Sequence, residues 1–404
     1  MSSRSCRLGC SAALLGLLGC GHTAAPAPEH PRSALGDLVV RASSEVSVYT
    51  DTDHVSVVTP TVSATVENPL SGWSAGASYL VDVVTAASVD IVATATPPWR
   101  EARHVVAGNA GYKSGDLGGQ IQASSSIEPD YRSLTFGGNG SLDLRQKNVT
   151  LLLGYSFSSD TAGRRTTPFS VFGRPLARHT LNAGATVVLD RSTIVTGVLD
   201  ALLERGNQAK PYRYVPMFEP GAGESVPVGA SIDLVRSLMT FERPLEQLPL
   251  SRQRFALTGR LAHRFADSTL RLEERLYADS WGLLASTSDI HYLLDLTERL
   301  SVDPRVRFHL QDGVDFWRRA YELAPGADGP LSIPDLRTGD RELGPLRSFT
   351  GGLGAHCDLS ERAGARRWLL SLQADTVLTQ YLDALYISRR NAYFFALSLD
   401  ATFE

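Results

Sequence analysis

Between positions 271 and 309 ionisable residues recur at alternate positions, with both signs of charge interleaved: Arg271, Glu273 and Arg275, then Asp295 and Arg299, then Arg305, Arg307 and His309. Alternate residues of an extended strand share a face, so these groups would line one side of a wall. Around a water-filled lumen they would set up a field that orients and selects solutes, as charged rings do in pores. Alternatively they do no more than pair with one another across neighbouring strands. A second polar set, Asp82, Thr85, Ser88 and Asp90, falls in an expected loop from Val83 to Trp99. There it would either constrict a pore or bond to its own backbone. Asp51-Thr52-Asp53-His54 has donors for a cation, but calcium takes about six to eight oxygens and only two carboxylates occur, so a solvated turn is expected. His104, His179, His263, His291, His309 and His356 are scattered and none sits in a nucleophile motif. No catalytic residue, metal site or cofactor is expected.

The elements that would hold these groups can be read from Ser268 to Leu284, STLRLEERLYADSWGLL. Its Leu, Glu and Arg content suits a helix. Its alternation suits a strand: Leu270, Leu272, Leu276 and Ala278 oppose Arg271, Glu273, Arg275, Tyr277 and Asp279. The same period recurs at Val149–Phe157, Leu181–Leu189, Phe255–Arg264, Ile290–Arg299 and Tyr393–Phe403, which decides for a strand. Tight turns at 113–116, 144–148, 190–192, 266–268 and 301–304 alternate with long connections at 83–99, 158–178, 206–251 and 318–346. Sorting of loops by parity is what an up-and-down membrane barrel shows, with short periplasmic turns and long outer loops. The expected fold is therefore all-β: an antiparallel up-and-down transmembrane barrel of roughly 16 strands, 14 being the alternative. Its apolar set would face lipid and its polar set the lumen. Cys357, in phase with Phe349 and Leu353, belongs with the lipid-facing set.

The chain has 404 residues, 43% of them apolar and 20% charged, with net charge −4. This excludes wholesale disorder, and no basic excess suggests a nucleic-acid partner. Residues 1–25 read as a signal peptide, with Arg4 and Arg7 ahead of the apolar run Ala12–Leu18. Leu17-Leu18-Gly19-Cys20 resembles a lipobox that would lipidate Cys20; a cut near Ala25 or Ala27 is the alternative. Residues 26–43 form a Pro/Ala-rich tether, and 44–404 the barrel. Beyond the leader no apolar run is long enough for a transmembrane helix. With Cys6, Cys10 and Cys20 at the leader, no disulfide framework is available. The alternation Tyr393–Phe403 is a signal for barrel-assembly machinery, although Glu404 follows the aromatic.

Three stretches carry a family resemblance: Tyr79–Asp90 (YLVDVVTAASVD) followed by Trp99–Arg103, Tyr277–Trp281 (YADSW), and Arg337–Leu343 (RTGDREL). They resemble a bacterial family catalogued as domain of unknown function 3570, over roughly residues 44–404. The resemblance implies an outer-membrane barrel of a Gram-negative bacterium without a settled activity. It also implies an envelope context in which a lipoprotein or flavoprotein could be a partner. The expected function is a porin-like channel passing small hydrophilic solutes through a charged lumen. A non-conducting scaffold and a surface hydrolase are the alternatives.

Overall fold

Val, Thr, Ser and Tyr at alternating positions favour extended backbone, and sixteen such segments pair in sequence order into one closed antiparallel barrel. The computed structural model describes residues 36–86, 99–326, 329–361 and 366–404. The wall strands are β1 (Val39–Asp51), β2 (Val55–Asn68), β3 (Trp73–Ala86), β4 (Trp99–Ser114), β5 (Leu117–Glu128), β6 (Tyr131–Leu144), β7 (Val149–Ala162) and β8 (Arg174–Val188). They continue as β9 (Thr193–Gly206), β10 (Ser251–Arg264), β11 (Ser268–Asp279), β12 (Leu284–Asp295), β13 (Leu300–Gln311), β14 (Leu346–Asp358), β15 (Arg366–Tyr381) and β16 (Arg389–Phe403). β16 closes on β1, with Val40 opposite Phe403 and Asp51 opposite Ala392. Closure leaves the wall without an open edge.

The alternation is realised as two faces. Leu276, Leu153 and Ile121 point outward and are exposed at 52%, 65% and 68%. Arg271, Glu273 and Arg275 take the opposite face. Cys357 shares its face with Phe349 and Leu353, as expected. A carboxylate interrupts the outer face: Glu274, midway along β11, points outward, and Ser286 and Ser288 of β12 donate to it.

Several expected boundaries move. β1 begins at Val39, inside the stretch read as tether. β3 runs to Ala86, so Asp82 and Thr85 belong to the wall and not to a loop; Ser88 and Asp90 lie outside the described residues, as does Cys20. β7 and β8 shorten the connection expected at 158–178 to 163–173. The turn expected at 301–304 is strand, and the chain turns instead at 296–299. Pro304 suggested a turn, yet a strand tolerates proline where no hydrogen bond is asked of it. The β12–β13 pairing lapses between Val302 and Arg305, so no N–H is needed there. Pro60 in β2 repeats the arrangement.

One end of the barrel carries short turns, at 69–72, 115–116, 145–148, 189–192, 265–267 and 296–299. The other carries the long connections 207–250 and 312–345, together with 163–173 and 382–388. The two longest fold on each other as a roof. Met217–Phe218 pairs in parallel with Tyr321–Glu322, and helix α1 (Ile232–Leu238) is capped by Ser231, whose side chain accepts from the Leu234 N–H. Two apolar clusters hold the roof: Val215, Met217, Tyr321 and Leu323, and Phe218, Val226, Ala230 and Val235.

Candidate functional site: the lumen and its roof

Most of the alternating charges find opposite charges on the adjacent strand or the next one beyond it. Arg275 lies 3.1 Å from Asp200 of β9 and bonds Thr258 at 3.2 Å on the way. Arg260 pairs with Glu273. Arg307 Nε donates to Asp289 at 2.6 Å. Both ring nitrogens of His291 sit 3.0 Å from carboxylate oxygens, of Asp289 and of Asp303. Arg305 Nε donates to Asp375 at 2.7 Å, reaching across β14 at Gly352, where a Cβ would collide with that carboxylate. Asp295 pairs with Arg264 at 2.6 Å. His309 bonds Thr287 at 2.8 Å. Arg271 faces the lumen opposite His291 in register and makes no ion pair among the described residues. Arg299 sits in the 296–299 turn, off the strand.

These central pairs stay wet. The side chains of Arg307, Arg275 and Glu273 are exposed at 46%, 37% and 34% while facing inward. The opposite wall, β4 to β8, presents hydroxyls and amides, among them Asn109, Gln120, Ser124, Asn139 and Asn182. The lumen therefore has a charge-dense, balanced wall facing one that is mostly hydroxyl and amide at mid-height, with the ion pairs Lys113–Asp143 and Arg178–Asp160 nearer its ends. Sequence reading missed the carboxylates Asp200, Asp289, Asp303 and Asp375. Their alternate placement was a visible signal, but their partners were not.

Asp82, expected in a loop that would constrict a pore or bond to its own backbone, instead accepts from Thr59 at 2.6 Å and pairs with Arg103 in the wall. Thr85 points to the other face of β3. Asp53 is not in a solvated turn: it is 1% exposed and pairs with Arg341 of the roof. Asp51 Oδ1 accepts from the Asp53 and Val55 N–H groups, both at 2.9 Å, and holds that turn.

The roof is locked to the wall through 337–343. Arg337 Nε donates to the Leu245 carbonyl at 2.8 Å, and Thr338 Oγ1 to Glu246 at 2.6 Å. Asp340 lies 2.6 Å from Arg213 and 3.5 Å from Lys210. Burial alone would raise its carboxyl, but Arg213 and Lys210 outweigh this and hold it below the ordinary range. Burial pushes the neighbouring Tyr321 hydroxyl up to about 12. Glu342 enters the mouth, accepting from Tyr381 at 2.8 Å and Arg390 at 3.2 Å. Leu343 packs on the cluster of Trp281, Leu283, Val314 and Trp317. Within it, Asp279 Oδ1 accepts from the Trp281 N–H at 2.9 Å, and Arg252 stacks 4.1 Å from the Trp281 ring. Thus 277–281 and 337–343, two of the resemblance-carrying stretches, meet at one rim.

Among the described residues the histidines do not assemble a surface nucleophile. His356 bonds Ser371 at 3.0 Å, but near the short-turn end and inside the lumen. His104 and His179 bond Tyr79 and Tyr155 on the outer face.

No curated protein matches the chain. Among solved structures, the siderophore receptor PirA from Pseudomonas aeruginosa aligns at 13% identity and TM-score 0.41, over 88% of this chain and 61% of its own. CdiB from Acinetobacter baumannii aligns at 11% and 0.48, over 89% and 60%. OccK5 (OpdH) from Pseudomonas aeruginosa aligns at 7% and 0.41, over 91% and 99%. The chain thus spans about three fifths of the length of PirA and CdiB. A family described as "Protein of unknown function (DUF3570)" matches residues 176–369, a stretch that holds 277–281 and 337–343 but not 79–103. The resemblance carried by 277–281 and 337–343 is thus borne out by a match over residues 176–369.

Proposed function

We propose that the chain is a channel in the outer membrane of a Gram-negative bacterium, passing small hydrophilic solutes through a polar lumen beneath a narrowing roof. The observation that carries this reading is the wetness of the central pairs: Arg307, Arg275 and Glu273 face inward and keep a third or more of their surface accessible. A barrel of this strand number normally encloses an aqueous lumen unless loops fill it. The outer face supports contact with lipid, being apolar along successive strands. Because Arg260, Arg275, Arg305 and Arg307 each meet a carboxylate, the pore is expected to discriminate weakly by charge, favouring neutral or zwitterionic solutes. Recognition of β16 by assembly machinery belongs to the same reading.

One observation favours a second reading, a closed barrel that docks an envelope lipoprotein or flavoprotein: the roof has apolar clusters of its own. Single-channel recording in planar bilayers, on the intact protein and on a variant with 209–247 replaced by a short Gly/Ser link, separates the two. Ohmic steps from the intact protein support the channel. Silence from the intact protein with conduction after deletion supports the closed scaffold.

A further inference from the structure

The first long-loop rim holds a constellation outside the lumen pairs. Glu101 stands near the start of β4, Glu128 ends β5 and Asp130 lies in the two-residue turn to β6. Extending the β4–β5 register, in which His104 faces Ile127, puts Asp130 beside Glu101. Like charges so placed repel. One carboxylate oxygen from each of the three lies within 4.8 Å of the other two. Oxygens bound to one calcium ion at about 2.4 Å lie at most about 4.8 Å apart.

Glu101 is the independent observation. The residue is only 8% exposed, its Oε1 is buried without a hydrogen-bond partner, and its carboxylate supplies one of the cluster's oxygens. A buried carboxylate oxygen without a partner carries a desolvation cost. Arg103 pairs with Asp82, Arg178 with Asp160, and Arg164 stacks over the face of Phe172 at 4.1 Å. Arg165 attracts Glu101 only through space, and its backbone N–H is engaged with the Tyr212 hydroxyl.

We propose that Glu101, Glu128 and Asp130 bind a divalent cation of the calcium class at the long-loop rim, with Glu128, only half-buried, on the side open to solvent.

The test uses the full chain, refolded in detergent and stripped with chelator. Tb³⁺ serves as probe, sensitised by Tyr131, which is opposite Glu128 in register. Saturable luminescence, displaced by Ca²⁺ and weakened at least tenfold in Glu101→Gln and Asp130→Asn, is expected. Ca²⁺ should raise the unfolding temperature of the parent but not of these variants, and Asp267→Asn at the opposite end should behave as the parent. If Glu101→Gln does not give the heat-modifiable folded band, Glu128→Gln takes its place. The proposal is overturned by the absence of saturable binding up to about 10 mM Ca²⁺, beyond the weak extracellular range. Affinity unchanged in all three carboxylate variants would overturn it equally.

Discussion

Glu274 is the side chain most at odds with its surroundings, a carboxylate among Leu270, Leu272 and Leu276 on the outer face. Its bonds from Ser286 and Ser288 limit the cost without removing it. A charge facing lipid at mid-height costs about 2–4 kcal/mol for Arg or Lys and less for Asp or Glu, so Glu274→Leu should stabilise the protein in bilayers by about 1–2 kcal/mol. Urea unfolding from lipid vesicles measures this, and a lower midpoint would show that this face does not meet lipid. In the lumen, Asp375→Asn removes the charge that balances Arg305, and the reversal potential in a KCl gradient should move towards anion preference. An unmoved potential would place Arg305 away from the conducting path. Alternation in the sequence assigned Arg305 to the correct face. It could not show the partner, because Asp375 is 70 positions away and reached over a glycine.

At the level of elements, the roof depends on Asp340 between Arg213 and Lys210. Its carboxyl titrates lower in the folded protein than in the unfolded chain. The stabilisation is therefore complete above the unfolded value of roughly 3.9 and fades as pH falls through the lower folded value. Limited proteolysis should find connections 207–250 and 312–345 equally resistant from pH 8 to pH 5 and increasingly cleaved below about pH 4. Asp340→Asn should be cleaved more readily even at neutral pH. The existence of long loops at one end was legible from their lengths. Their mutual packing was not, since Gln247 bonds Arg337 and Met217 pairs with Tyr321 across long stretches of intervening chain. Local pattern also misplaced one turn, where Pro304 suggested a break that the β12–β13 pairing accommodates.

For the whole molecule, sixteen strands and closure follow from a period-2 pattern repeated along the chain, the kind of information a sequence carries most openly. What closes the wall is the pairing of β1 with β16. Residues of β1 must wait for residues of β16, because Val40 has no neighbour on that side until Phe403 exists. Every shorter chain presents two raw edges, one at β1 and one at its newest strand, each able to template wrong pairing. A chain ending after Tyr381 should accordingly aggregate rather than give a heat-modifiable folded band, even though it retains fifteen of the wall strands. The seam makes this a protein whose stability arrives all at once, with its final strand.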